Sequence, residues 1–311
     1  MNTIHEIFTE LSKCIKLESI GNINQFLGME ITTNYEKKHI FLNQNKYTAN
    51  LLERFEKQNI RPVTSPVELG INLEKSQDNC SKENLKKYQQ EVGSLIYLAI
   101  NTRPDISFAV NRCARYMASP NDSHFRALDR IWKYLSKYPN MGLHYDCNSI
   151  NQQIFGYTDA DWGGDTVSRK STSGYIFHLN GNIISWLSMQ QKTVALSSCE
   201  AEYMALKEAI KESIYLNNLF SYYNSLLGLN ISSDTPKLLT DSESALKLAN
   251  NPEFHKRTKH IDVTYHFIRD SIKEKKIELL QVSTKNQLAD GFTKGLDTLK
   301  HKSFLLSLNL K

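Results

Sequence analysis

Paired cysteines are missing from this chain. Its five cysteines, Cys14, Cys80, Cys113, Cys147 and Cys199, fall at scattered positions with no Cys-x-x-Cys spacing. An odd, unpaired set excludes a disulfide framework and a cysteine zinc site, and it fits a reducing compartment. No run of about 18 apolar residues occurs, so no membrane-spanning helix is expected. The opening Met1-Asn2-Thr3-Ile4-His5-Glu6 lacks the apolar core of a signal peptide, so secretion is not expected either. Internal repeats and low-complexity tracts are absent as well. Neither sign of charge dominates: 38 basic against 33 acidic side chains leave a net charge of +5. That mild excess suits a phosphate-bearing partner without requiring one. What remains is an ordinary soluble composition, 40% hydrophobic over 311 residues, with room for more than one domain.

The first half reads mostly as helix. Residues 3–17 place Ile4, Ile7, Phe8, Leu11 and Ile15 on one stripe. Two β-prone runs, Gln25–Ile31 and His39–Leu42, flank a polar turn at 34–38 and predict a hairpin. A helix over Lys46–Phe55 ends before Pro62 and Pro66, which disfavour helix at and before their positions. After a polar stretch at 71–84, three helices are expected. They cover about 84–101, then a segment opening at Pro104, then about 122–138. Arg103, Arg112, Arg115, Arg126, Arg130, Lys133 and Lys137 decorate this bundle, either as a solvated face or as a phosphate-binding one.

Beyond Tyr138–Gly142 the pattern turns to β. Residues 152–162 form an apolar run that ends in Asp159, Ala160, Asp161 and Trp162. Alternate side chains of a strand share a face, so Phe155, Tyr157, Asp159 and Asp161 point one way. A carboxylate ending a packed face is costly unless a metal, a cation or water meets it. Asp159 is therefore either a metal ligand or the start of a solvated acidic turn. Ser173–Leu179 and Ile183–Leu187 predict a hairpin over Asn180-Gly181-Asn182. Thr193–Ser197 reads as a third strand. A long helix follows from Ser198 to Tyr222, where Ser197-Ser198-Cys199-Glu200 fits a capping box and gives Glu200 a structural task. From Glu202, helical steps reach Leu206, Ala209, Ser213, Leu216 and Phe220, a stripe that must face the core. Glu202 thus points inward, or serves as a favourable charge near the helix N-terminus. Lys237–Asp241 is a short strand whose Asp241 is either a ligand or the cap of a helix over Glu243–Asn250. His255–His260 is the densest basic stretch, read as a phosphate contact or a solvated loop. A helix at about 261–274 and a strand at 277–282 follow. Thr284-Lys285-Asn286-Gln287 then resembles a capping box, opening a helix that carries Leu288, Asp290 and Phe292.

This order gives a mixed α/β region with four inward acids, Asp159, Glu202, Asp241 and Asp290. Four hard oxygen ligands without cysteine or usable histidine suit Mg²⁺ or Mn²⁺. A set of four suggests two ions clamping a phosphodiester. The motifs Tyr157–Trp162, Arg169–Tyr175, Leu196–Tyr203, Thr240-Asp241-Ser242, Arg257–Asp262 and Gln287–Asp290 resemble the ribonuclease H domain of copia-type LTR retrotransposon Pol polyproteins. Upstream, Phe26–Ile31 resembles the primer-grip hairpin of their reverse transcriptase, while Gly93–Tyr97 and Thr102–Ile106 resemble its thumb and connection.

The resemblance implies a ribonuclease H-like mixed sheet flanked by helices, preceded by a β-hairpin and a helical thumb and connection. The implied regions are 1–68, 69–148 and 149–311; independently, the switch from helical to β pattern near 139–152 predicts that residues 150–311 fold alone. It also implies Asp159, Glu202, Asp241 and Asp290 as catalytic metal ligands for two Mg²⁺ or Mn²⁺ ions. Lys256, Arg257, Lys259, His260, Arg169 and Lys170 become the nucleic-acid contacts. The implied reaction is endonucleolytic hydrolysis of the RNA strand of RNA–DNA hybrids, leaving 5′-phosphate and 3′-hydroxyl ends. The implied partners are the hybrid and a polymerase subunit or the rest of Pol, in the cytoplasm (in a virus-like particle) or the nucleus.

Two features depart from the family pattern. The polymerase centre's Tyr-x-Asp-Asp turn is missing, since no Asp-Asp dipeptide occurs, so DNA synthesis is not expected. The loop at 283–289 also lacks the histidine that related enzymes often place before the last Asp. The rival reading is a catalytically silent retroelement remnant that only binds nucleic acid. An integrase-like recombinase of the same fold is disfavoured, because there the Glu would come last, whereas Glu202 precedes Asp241.

Overall fold

The computed structural model describes residues 2–18, 21–74, 80–148, 153–228, 234–250 and 259–310, with the side chains of 2–4 and 259–264 outside that description. Helix α1 (Asn2–Ser12) is shorter than the expected 3–17 and leaves Ile15 beyond its end, while Ile7, Phe8 and Leu11 on it are exposed. Strands β1 (Gln25–Phe26), β2 (Met29–Asn34) and β3 (His39–Asn43) pair antiparallel, with β2 and β3 forming the expected hairpin. A fourth strand, β4 (Leu143–Asp146), completes this sheet against β3. It was not legible in the sequence, because four residues carry too little pattern to register.

Helices α2 (Asn45–Arg54), α3 (Lys82–Asn101), α4 (Ser107–Ala114) and α5 (Asp122–Lys137) bury Tyr88, Val92, Leu95, Leu98, Ile131 and Trp132 in one cluster. Pro104 opens a 3₁₀ turn ahead of α4. Part of the basic decoration is consumed internally. Arg103 is buried, donates to both oxygens of Asp105 at 2.9 and 2.7 Å, and reaches the Tyr138 carbonyl at 2.8 Å. Arg112 donates to the Ile71 carbonyl and Arg130 to the Ser65 carbonyl. These three arginines are therefore not simply a solvated face.

The second sheet has the order β7-β6-β5-β8-β9. Its strands are β5 (Ile154–Ala160), β6 (Thr172–Leu179), β7 (Asn182–Gln190), β8 (Lys237–Thr240) and β9 (Glu278–Gln281). The first three pair antiparallel through the expected hairpin, whose Asn180 and Gly181 take φ of 55° and 75°, as a tight primed turn requires. β8 lies parallel to both β5 and β9. One face is covered by α6 (Ser198–Leu226), α7 (Glu243–Asn250) and α8 (Lys259–Lys273) around Phe177, Leu206, Ala209, Ile210, Leu238 and Ile268. The other is covered by the single turn α9 (Asp290–Thr293) and by α10 (Thr298–Ser307). Gly174 permits that closeness, since a Cβ there would lie 2.7 Å from Phe292 Cβ.

Two expectations are corrected. Residues 193–197 form no strand; β7 ends at Gln190, and Val194 and Leu196 face solvent, 45% and 83% exposed, with no strand among the described residues to pair with. Thr284 does not open a helix. It starts a 3₁₀ turn ending at Asn286, and the Gln287 side chain turns inward to the Thr158 carbonyl at 3.0 Å instead of capping.

The first and second halves share a core. Leu143 of β4 packs with Ile176, Phe292, Phe304 and Leu308, and Leu143 also bridges to Leu310. Trp186 Nε1 donates to the Ala99 carbonyl at 2.9 Å, Asn111 to the Ser188 carbonyl at 3.0 Å, and the Asp146 amide to Asn182 Oδ1 at 2.8 Å. The regions 1–68, 69–148 and 149–311 remain our proposed division. The third has its own cluster beneath α6, so the 149–311 fragment is expected to fold alone. Without the first half it loses cover over Ile176 and Trp186, and its melting temperature is expected to fall by more than about 5 °C, at roughly 2–4 °C per kcal/mol. Thermal melts of the fragment and the full chain check this; equal stabilities would mean the shared core contributes nothing.

Candidate active site

Parallel register sets the first two acids side by side. Tyr157 of β5 pairs with Leu239 of β8. Two residues on come Asp159, next to last in β5, and Asp241, just past the end of β8, which the same register brings alongside each other. α6 packs across β5 and supplies Glu202 from its second turn. The stripe behind Glu202 is buried through Leu206, Ala209, Ser213 and Leu216, which fixes the direction in which the carboxylate points. Ligand oxygens of Asp159, Glu202 and Asp241 all lie within 4.8 Å of one another.

The capping roles fall to other residues. Ser197 Oγ accepts from the Glu200 amide at 3.2 Å, and the Glu200 carboxylate accepts from the Leu196 amide at 2.7 Å. For α7, Ser242 Oγ accepts from the Ala245 amide at 3.2 Å. Asp241 is thereby released from capping; among the described residues its Oδ1 accepts a long contact of 3.4 Å from Gln287 Nε2.

Burial and mutual charge govern protonation here. Burial, then the charges of Asp159 and Asp241, push the Glu202 carboxyl up to about 9. Glu202 Oε2 is buried with no hydrogen-bond partner among the described residues. Burial likewise raises Asp159 to about 7, against a hydrogen bond donated by Thr293 Oγ1 to its Oδ2 and the opposing charge of Lys294.

Asp290 is not in the convergent triad. At the start of α9 its Oδ1 pairs with Lys294 Nζ at 2.7 Å, and the same ammonium lies 3.9 Å from Asp159 Oδ2. Asp161 lies outside the triad too. Its Oδ1 accepts from the Thr172 amide, its own amide donates to the Thr172 carbonyl at 3.1 Å, and burial raises it to about 6.

Arg169 and Lys170 sit in the turn between β5 and β6, with Arg169 exposed and at φ 57°. Lys256 and Arg257 lie outside the described residues. Lys259 and His260 open α8, but their side chains are outside the description as well. Thr293 and Lys294 were missed in the sequence, and Gln287 was read there as a capping-box and motif residue, not as a contact of the site. The only available signal was the i,i+4 spacing of Asp290 and Lys294, a common salt-bridge pattern on any helix.

No family model matches the sequence. The chain is 38% identical over 295 residues to the retrovirus-related Pol polyprotein from transposon TNT 1-94 of Nicotiana tabacum, covering 92% of this chain and 21% of that protein. It therefore spans about a fifth of that relative's length. It is 35% identical over 204 residues to an uncharacterized mitochondrial protein of Arabidopsis thaliana, covering 65% of this chain and 82% of that one. Among solved structures it is similar to the foamy viral protease-reverse transcriptase in complex with an RNA/DNA hybrid. The TM-score is 0.50 and the identity 15%, over 84% of this chain and 29% of that one, a likeness of fold.

Proposed function

From the premise that the chain belongs to the copia-type retrovirus-related Pol polyproteins, we propose that it hydrolyses the RNA strand of RNA–DNA hybrids endonucleolytically with two divalent ions. The observation that carries this is the triad Asp159, Glu202 and Asp241, drawn from two parallel strand ends and one helix, with oxygens within 4.8 Å.

The residues fit a hard cation. All three donors are carboxylates, the buried Glu202 Oε2 has no other partner among the described residues, and repulsion within the cluster is relieved by positive charge. Asp159, Glu202 and Asp241 would hold the ions, with Asp290 as the fourth carboxylate at the edge. When bound, two such ions supply the charge that clamps the attacking and leaving oxygens of an in-line displacement. The protein positions that site. Thr293 holds Asp159 Oδ2, Gln287 ties the Thr158 carbonyl to Asp241, and Lys294 offsets the charge of Asp290 and Asp159. Selection of RNA would come from 2′-hydroxyl contacts across the minor groove. DNA synthesis is not part of the proposal, because the 311 residues hold no Asp-Asp dipeptide. The rest of Pol, or a polymerase subunit, is the proposed partner.

The test is cleavage of a labelled RNA–DNA hybrid with Mg²⁺ or Mn²⁺, beside chelated and duplex-DNA controls. Binding without cleavage in every metal would leave the silent-remnant reading instead. Hybrid affinity is expected to fall with salt by roughly one unit of log–log slope per phosphate contact. Replacing Lys256, Arg257 and Lys259 with Ala should flatten that slope by up to about three units. An unchanged slope would mark 255–260 as a solvated loop.

A further inference from the structure

Trp162 is 60% exposed, whereas Trp132 is fully buried and Trp186 half-buried. Exposed though it is, the ring is held. Its Nε1–H donates to the Ala195 carbonyl at 3.2 Å, tying the end of the β5 segment to the loop before α6. On that loop Val194 and Leu196 also stand in solvent, and the Leu196 amide is fixed to Glu200.

The turn that carries Trp162 is clamped from several sides. The Gly163 amide donates to Ser171 Oγ at 3.0 Å, and Asp165 accepts from the Val167 and Ser168 amides at 3.0 Å and from Gln190 Nε2 at 2.7 Å. Arg115, at the end of α4, reaches Thr172 Oγ1 at 2.9 Å and Asp165 Oδ2 at 3.4 Å. The Arg169 side chain lies over Gly163, where an added Cβ would sit 3.9 Å from its Nη2.

Trp162, Val194, Leu196 and Arg169 are thus all exposed residues, on two segments that the Trp162–Ala195 hydrogen bond ties together. Each of those segments also carries an acid of the triad: Asp159 lies three residues before Trp162, and Glu202 six residues after Leu196. Three residues reach at most about 11 Å. That is about three nucleotide steps along one strand.

We propose that Trp162, with Val194 and Leu196 beside it, is a stacking platform for a nucleotide of the hybrid close to the phosphodiester held at the triad, with Arg169 contacting the adjoining backbone. The proposal rests on the nuclease reading above. Three side chains match the face of one nucleotide, and they fall far short of the roughly 800 Å² per partner that a stable protein interface needs. The bases of a paired hybrid stack on one another, so the face open to Trp162 is that of a sugar displayed in the wide, shallow minor groove.

The test uses the full chain carrying Asp241→Asn, so that the hybrid stays intact, and reads acrylamide quenching of tryptophan fluorescence. Hybrid is expected to halve the quenching constant or more, and Trp162→Phe should remove that change because the remaining tryptophans are shielded. In the otherwise unaltered chain, Trp162→Ala should raise KM for hybrid about ten-fold, with kcat within about three-fold, and Trp162→Phe should restore most of the loss. Unprotected quenching at saturating hybrid, or equal affinity of Trp162→Ala and the unaltered chain, would overturn the platform while leaving the nuclease reading standing. Failure of the unaltered chain to bind or cleave hybrid at all would remove both.

Discussion

Asp241→Asn is expected to reduce hybrid cleavage at least a hundred-fold and to raise the melting temperature of the metal-free protein. The activity loss follows from removing one ligand of the triad, and it should exceed the roughly 10–100-fold that outer-shell changes cost. The stability gain follows from charge. Asp241 stands beside Asp159 and Glu202 and adds to the repulsion on both. Like charges at such distances cost about 1 kcal/mol or more per pair in a partly wetted site. At roughly 2–4 °C per kcal/mol the rise should be readily measured. Asn keeps the shape and still accepts from Gln287, and the helix cap on Ser242 is untouched. Thermal shift with and without Mg²⁺, beside a cleavage assay, reads both effects. A lower melting temperature without metal would mean that Asp241 is a structural residue. Asp161→Asn serves as the contrast: its contacts run to the Thr172 backbone, outside the triad, and it should do neither as strongly.

The second large effect concerns pH. Glu202 is raised from 4.5 to about 9 and Asp159 from 3.8 to about 7. Between those limits the folded metal-free protein holds more protons than the unfolded chain, so its stability falls as pH rises. The contribution is fully present below about pH 4 and is lost through pH 7 for Asp159 and pH 9 for Glu202. A tenfold difference in proton affinity between the folded and unfolded chain is worth about 1.4 kcal/mol, so the total loss is on the order of several kcal/mol. Glu202→Gln is expected to flatten the decline above pH 7, while abolishing cleavage. Saturating Mg²⁺ should do the same to the unaltered protein, because a bound cation favours the ionised acids. Melts from pH 5 to 9.5 check this. A metal-free stability that stays level or climbs over that interval would show that these carboxyls are ionised throughout.

Much of this site was legible because it rests on period and register. The apolar stripe behind Glu202 told which acid of Glu200 and Glu202 turns inward, and the structure gives Glu200 the capping contact and sets the half-buried Glu202 against Asp159 and Asp241. The hairpin over Asn180-Gly181 was legible because left-handed turn residues announce themselves. The misreadings share one cause. Thr193–Ser197 has the composition of a strand but no neighbour to pair with, and pairing is not written in a local window. Gln287 fits a capping box, yet a carbonyl on Thr158, distant in sequence, claimed its side chain. Lys294 could not have been singled out, since its role depends on Asp159 arriving from a different strand. The shared core was hidden for the same reason: β4 shows its meaning only between β3 and Leu310.

A buried chain of contacts crosses from the helical half to the last helix. Arg103 grips Asp105, Tyr134 donates to Asp105 Oδ2 at 2.7 Å, and His301 Nε2 stands 3.2 Å from the Tyr134 hydroxyl. All four side chains are buried. This makes the C-terminal half a poor cassette for exchange between related chains. A recombination junction near residue 149 would join His301 from one lineage to Tyr134 and Asp105 from another. A mismatch there would leave a polar group unsatisfied in the interior, at about 1–3 kcal/mol. Positions 105, 134 and 301 are accordingly expected to change together, which chimeras of related chains joined near residue 149 check by their melting temperatures.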